Sequence, residues 1–227
     1  MNLFELPQPS VPIAGRDDRY PVRRVYCVGR NYGAHAREMG HDPDREPPFF
    51  FMKPADAIVC ETGMVRYPPR TTDLHHEIEL VAAIGKGGLN ISINQALGHV
   101  FGYAVGIDFT RRDLQKEAKK LGRPWDTAKG FDQSAPISAI HAASDIGHPS
   151  TGRIWLAVND ELRQQGDLNE LIWDVAESVA ELSTFFRLEP GDLLFTGTPA
   201  GVGPVTVGDR VTGAIEGIDE ITITIDS

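Results

Sequence analysis

The chain has 227 residues, 41% apolar and 24% charged, which is the balance of an ordinary globular protein able to bury one sizeable core. No apolar run approaches the roughly 18 residues of a membrane span, and a formal charge of −10 with no basic stripe argues against nucleic acid or an anionic membrane as partner. The opening "MNLFELPQPSVP" has neither a basic n-region nor a continuous apolar stretch, so a cytoplasmic protein is expected.

Residues 1–20 read as a Pro-rich arm packed on the surface, and 21–227 as a single domain. Strand-like runs follow at "VYCVG", "FFFMK" and "EIELVAAIG", with a helix of about two turns, capped by Asn31 and closed by Gly40, between the first two. Cys27 and Cys60 form no CxxC pair and are expected as buried, reduced thiols. "LGHVFGYAVGIDFT" suits a long buried strand. The helix after it, Arg111 to Leu121, is expected to bury Leu114, Ala118 and Leu121 and to stop at Gly122. "RIWLAVNDELRQQG" reads as strand, turn and strand. Asp167 then caps a helix to about Phe186 whose inner face is Leu171, Val175, Val179 and Leu182. Short strands and glycine turns finish the chain, ending in the alternation "EITITID". The fold class is a β-rich α+β domain with two main helices.

Chemistry concentrates in a few places. On a strand of period two, Glu77 and Glu79 share one face and Ile78 and Leu80 the other. A solvated edge would explain the pair, but the apolar run "LVAAIG" that follows makes unpaired carboxylates costly there. Asp108 ends the apolar strand "YAVGID" and supplies a third acid, and three hard oxygen ligands suit Mg²⁺ or Mn²⁺. His75 faces the same way as the pair and reads as packing or as a partner to a ligand. His35 and Glu38 are three apart on one helical face, which fits a surface ion pair or an imidazole oriented by a carboxylate. Lys129, between Ala128 and Phe131, is either solvated or a partly enclosed cation. "TGTPAGVGP" lacks the GK[ST] of a phosphate loop and reads as a turn, or as a carboxylate site built from Thr198 and nearby N–H groups. His99, His141 and His148 have no partner pattern and are read as structural.

Seven blocks in order resemble the fumarylacetoacetate hydrolase superfamily, in its short acylpyruvate hydrolase branch: "VGRNYGAHAREMG", "FFFMKPADAIV", "HHEIELVAAIGK", "GYAVGIDFTRRDLQ", "PWDTAKGFDQSAPI", "LAVNDELRQ" and "GDLLFTGTPAGVGPV". Within that branch, "AKGFDQSAPI" and "DPDREPPFFF" look most like fumarylpyruvate hydrolases of the gentisate route. The resemblance implies a mixed β-roll, a homodimer and one divalent cation, Mg²⁺ or Mn²⁺, held by Glu77, Glu79 and Asp108. It implies a small anionic 2,4-diketo acid as substrate, bound by Arg30, Arg112, Gln115, Lys129 and Thr198. It also favours His35 and Glu38 as a catalytic dyad, with Lys129 stabilising an enolate. Two departures stand out: the fourth metal carboxylate of the larger relatives has no counterpart, and Arg111 stands where a small residue is common.

The implied reaction is hydrolysis of the C–C bond of an acylpyruvate. An oxaloacetate decarboxylase or tautomerase using the same metal and lysine is the alternative. A Schiff-base lyase with Lys129 as nucleophile and a non-enzymatic binding module are the remaining readings.

Overall fold

The computed structural model describes residues 3–33, 46–60 and 63–227. Its centre is a six-stranded mixed sheet in the order His141–Ala142, Val100–Ile107, Ile78–Ile84, Asp192–Phe195, Arg24–Gly29 and Phe49–Lys53. Asp192–Phe195 runs parallel to Arg24–Gly29, and the other neighbours are antiparallel. Side-chain alternation divides the inner strands between two cores, which is why they read as continuous apolar runs. Ile78, Leu80, Ala82 and Ile84 face a large cluster shared with the second sheet and with the helix Val175–Phe185. Val81, Ala83, Ala104, Leu193 and Phe195 face a smaller cluster on the other side. Val11, Ile13 and Tyr20 belong to that smaller cluster, so the opening segment contributes side chains to a core.

The second sheet has five strands, Glu161–Asp167, Arg153–Val158, Arg210–Ile215, Asp219–Asp226 and Met64–Arg66 in spatial order. Its first hairpin turns on Asn159 and Asp160, both in the left-handed region at φ 51° and 67°. The closing alternation "EITITID" lies within Asp219–Asp226, with Ile221, Ile223 and Ile225 inward.

Several expectations need correction. The helix Arg112–Leu121 does end at Gly122, whose φ of 62° is the left-handed cap conformation. It buries Arg112, Gln115 and Ala118, however, and leaves Leu121 50% exposed. The helix turns its polar face inward because carboxylates, not aliphatic side chains, lie beneath it. Asp167 caps only the short turn Leu168–Glu170, and a second capping box at Asp174 starts the helix Val175–Phe185. The break between them is enforced from far along the chain. Asn31 Oδ1 accepts from Trp173 N–H at 2.8 Å, and its Nδ2 donates to the carbonyls of Trp173 and Thr196 at 2.8 and 2.7 Å. Asn31 therefore ties three segments together, and the helix it was expected to cap lies almost wholly outside the described residues. Cys27 is buried but Cys60 is only half-buried, and they share no disulfide. No described helix is long and apolar enough to cross a membrane.

Candidate active site

Glu77 sits between the strands Leu74–His76 and Ile78–Ile84, at the point where the chain leaves a small three-stranded sheet for the central one. Glu79 is opposite Gly106 in the ladder, and Asp108 N–H donates to the Glu77 carbonyl at 2.8 Å just beyond it. That register places all three acids on one face at one end of the sheet. They are 5%, 2% and 0% exposed, and one oxygen from each lies within 4.8 Å of the others.

Three buried cations surround them. Lys129 Nζ donates to Glu77 Oε2 at 2.8 Å and to Asp108 Oδ2 at 2.5 Å. Arg112 Nη2 donates to Glu77 Oε1, and its Nη1 donates to Gln115 Oε1 at 2.6 Å. Lys53 Nζ is 2.8 Å from Asp108 Oδ1 while donating to the carbonyls of Phe109, at 3.1 Å, and Lys129. Lys53 is thus the charge partner of Asp108 Oδ1, which accepts no hydrogen bond among the described residues. Burial pulls the Lys129 ammonium toward neutrality, but Asp108 and Glu77 outweigh it and hold its pKa above the ordinary lysine value. Glu79 has no cation of its own among the described residues and accepts only the Gly197 N–H, at 2.7 Å. Burial, with Asp108 and Glu77 nearby, pushes its carboxyl well above the usual range.

A deeply buried Glu79 carboxylate with no cation of its own among the described residues, set beside two further acids, is what a divalent cation would relieve. The donor set is hard oxygen, which suits Mg²⁺ or Mn²⁺.

The trio opens into a small cavity. Arg30, Arg112, Gln115, Lys129 and Thr198 line it, so every expected site residue within the described chain meets at one place. His35 and Glu38 lie outside the described residues. Thr198 Oγ1 accepts from Gln164 Nε2 at 2.8 Å, while the Gly197 N–H is committed to Glu79. His75 supports Arg112: its Nδ1 accepts from Arg112 Nε at 3.3 Å and its Nε2 meets Asp73 at 2.8 Å. Burial and Arg112 lower its pKa, in keeping with a neutral ring. Arg111 turns away, stacking 4.4 Å from the Phe131 ring centroid and donating to the Thr127 carbonyl at 3.0 Å, and it does not line the cavity.

Sequence reasoning missed Lys53, Lys119, Trp125 and Gln164. A lysine closing the apolar run "FFFM" was the available signal for Lys53. For Lys119 it was the spacing from Arg112 and Gln115, which puts all three on one helical face.

The family model described as fumarylacetoacetate (FAA) hydrolase C-terminal matches residues 24–226. The chain belongs to the fumarylacetoacetate hydrolase family. A fumarylpyruvate hydrolase from a Ralstonia species is 45% identical over 189 residues, 82% of this chain and 98% of that one. A human mitochondrial oxaloacetate tautomerase is 39% identical over 204 residues, 90% and 92% of the two chains. Among solved structures, fumarylpyruvate hydrolase from Pseudomonas aeruginosa in complex with Mn²⁺ and pyruvate is similar at a TM-score of 0.98 and 56% identity, covering 100% of this chain and 99% of that one. This family's C-terminal fold is the strand-rich α+β architecture described above.

Proposed function

We propose that the protein is a metal-dependent hydrolase that cleaves the C–C bond of an acylpyruvate, with fumarylpyruvate as substrate and fumarate and pyruvate as products. The observation that carries this reading is the convergence of Glu77, Glu79 and Asp108 with Lys129 in one cavity. Similarity to the Pseudomonas aeruginosa enzyme, 56% identical, supports the choice of substrate.

Glu77, Glu79 and Asp108 would hold Mg²⁺ or Mn²⁺, which supplies Lewis-acid stabilisation of negative charge on the pyruvate-forming end of the substrate. Lys129 and the Gln115 amide bind that same end, and Arg112 fixes Glu77 and Gln115 in place. Arg30 and Thr198 complete the substrate-binding surface. His35, oriented by Glu38, takes a proton from water, and the hydroxide adds to the distal carbonyl. Collapse of the tetrahedral adduct breaks the C–C bond and leaves its electron pair on pyruvate as the enolate. Protonation at carbon then gives pyruvate. Lys129 is paired with two carboxylates, an arrangement that favours an electrostatic role over a Schiff base. The reading takes residues 21–227 as the catalytic unit, with 1–20 as an arm whose Val11, Ile13 and Tyr20 pack into its smaller core. It carries a cytoplasmic homodimer in gentisate-linked aromatic degradation.

The second reading, an oxaloacetate tautomerase or decarboxylase, draws on the human relative. The deciding experiment measures kcat/KM for fumarylpyruvate, acetylpyruvate and oxaloacetate with Mn²⁺ or Mg²⁺ and with excess chelator. Metal-dependent fumarylpyruvate hydrolysis should dominate. Turnover that survives chelation, or a preference for oxaloacetate, would reject the hydrolase reading.

A further inference from the structure

The cavity contains two kinds of cation. Lys129, Arg112 and Lys53 each contact Glu77 or Asp108. Arg30 and Lys119 line the same cavity, and neither forms an ion pair among the described residues. Glu46 acts on Arg30 through its charge without an ion-pair contact.

Both are held by aromatic faces. The Arg30 guanidinium lies 5.3 Å from the Phe49 ring centroid, and Lys119 Nζ lies 5.2 Å from that of Trp125. Phe49 and Trp125 themselves meet edge to face at 5.2 Å. The two cations thus rest on one joined aromatic platform. Arg30 adopts the left-handed φ of 60°, and the preceding Gly29 is so close to Phe49 that a Cβ there would fall 2.1 Å from the ring. Arg30 Nε is buried and has no hydrogen-bond partner among the described residues. A buried donor without an acceptor is costly, and two like charges on one platform repel, unless an anion joins them. Burial, with Arg30 and Arg112 nearby, lowers the Lys119 pKa to about 8, which agrees with a cation awaiting a counter-charge.

We infer that Arg30 and Lys119 form a second anion site in this cavity, which binds the carboxylate terminating the acyl chain and selects dicarboxylic acylpyruvates over those with a neutral acyl group. The assignment rests on the hydrolase reading, in which the trio and Lys129 take the pyruvate-forming end. The acyl chain must then extend along the remaining lining, where Arg30, Lys119 and Trp125 stand.

The test compares wild type with Lys119→Gln in two measurements. The first is kcat/KM for fumarylpyruvate and for acetylpyruvate. The variant should lose roughly 10- to 100-fold on fumarylpyruvate, the scale of a lost hydrogen bond to a charged group, and less than about threefold on acetylpyruvate. The second, which needs no turnover, is calorimetric binding of fumarate and of crotonate to the Mn²⁺-loaded protein. Crotonate has a methyl group where fumarate has its second carboxylate. Fumarate should bind more tightly to wild type, and that advantage should vanish in Lys119→Gln. Equal losses on both substrates, or an unchanged preference for fumarate, would overturn the inference. If no acylpyruvate is hydrolysed but the fumarate advantage exists and depends on Lys119, the hydrolase reading fails and the anion site stands.

Discussion

Lys53→Met isolates the least conspicuous cation of the site. The substitution keeps the length of the side chain but removes the ammonium that touches Asp108 at 2.8 Å and donates to the carbonyls of Phe109 and Lys129. Removing one partner of a buried ion pair costs about 3–5 kcal/mol. Asp108 keeps Lys129 at 2.5 Å, which puts the loss at the lower end, about 3 kcal/mol. Methionine nearly fills the space, so little is added for a cavity. Against a total stability of about 5–15 kcal/mol, that loss lowers the midpoint of urea unfolding by about 1 M or more. Tryptophan fluorescence during a urea titration reads the midpoint directly. Saturating Mn²⁺ should narrow the gap between variant and wild type, because the ion brings positive charge to the same carboxylate. A shift smaller than about 0.3 M, or a gap that widens with Mn²⁺, would show that Lys53 is not the counter-ion of Asp108.

Other outcomes follow from the same geometry. Glu77→Ala, Glu79→Ala and Asp108→Ala should each lose calorimetric Mn²⁺ binding and reduce hydrolysis to background with far-UV circular dichroism unchanged, whereas His99→Ala and His141→Ala keep most activity. His35→Ala should slow acylpyruvate hydrolysis by roughly 100-fold or more while affecting any oxaloacetate decarboxylation much less, and Glu38→Gln should give a milder form of that split in steady-state assays. Lys119 should impose a pH dependence on fumarate binding. Burial and the surrounding Arg30, Arg112 and Lys129 lower its pKa to about 8, opposed by Glu77, so the unliganded protein loses this charge above that pH. A bound carboxylate favours the protonated amine, so binding above about pH 8 should take up a proton and weaken as pH rises. Calorimetry in buffers of different ionisation heat measures the uptake, and none should remain in Lys119→Gln.

The acidic trio was readable because its logic is local. Period two aligned Glu77 with Glu79, and the end of an apolar strand marked Asp108. The helix Arg112–Leu121 was misread for a physical reason. Apolar spacing finds a buried face only when the core beneath is apolar, and here the helix covers charged groups, so Arg112 and Gln115 are inside while Leu121 is half-exposed. That inversion also concealed Lys119. The break before Val175 was invisible because its cause, Asn31, lies 142 positions away from Trp173. Lys53 looked like the end of a strand, and only the folded register brings it to Asp108.

The charge inventory of the site also sets an order of events. Glu77, Glu79 and Asp108 carry three formal negative charges, and Lys53, Arg112 and Lys129 carry three positive ones around them. A divalent cation entering this balanced nest therefore brings its charge as a surplus that no carboxylate of the trio is left to cancel. In a chain of net charge −10, that surplus would favour an anionic substrate once the metal is in place. Substrate affinity should accordingly rise and fall with metal occupancy, while before the metal is bound only Arg30 and Lys119 offer positive charge that the trio does not already offset.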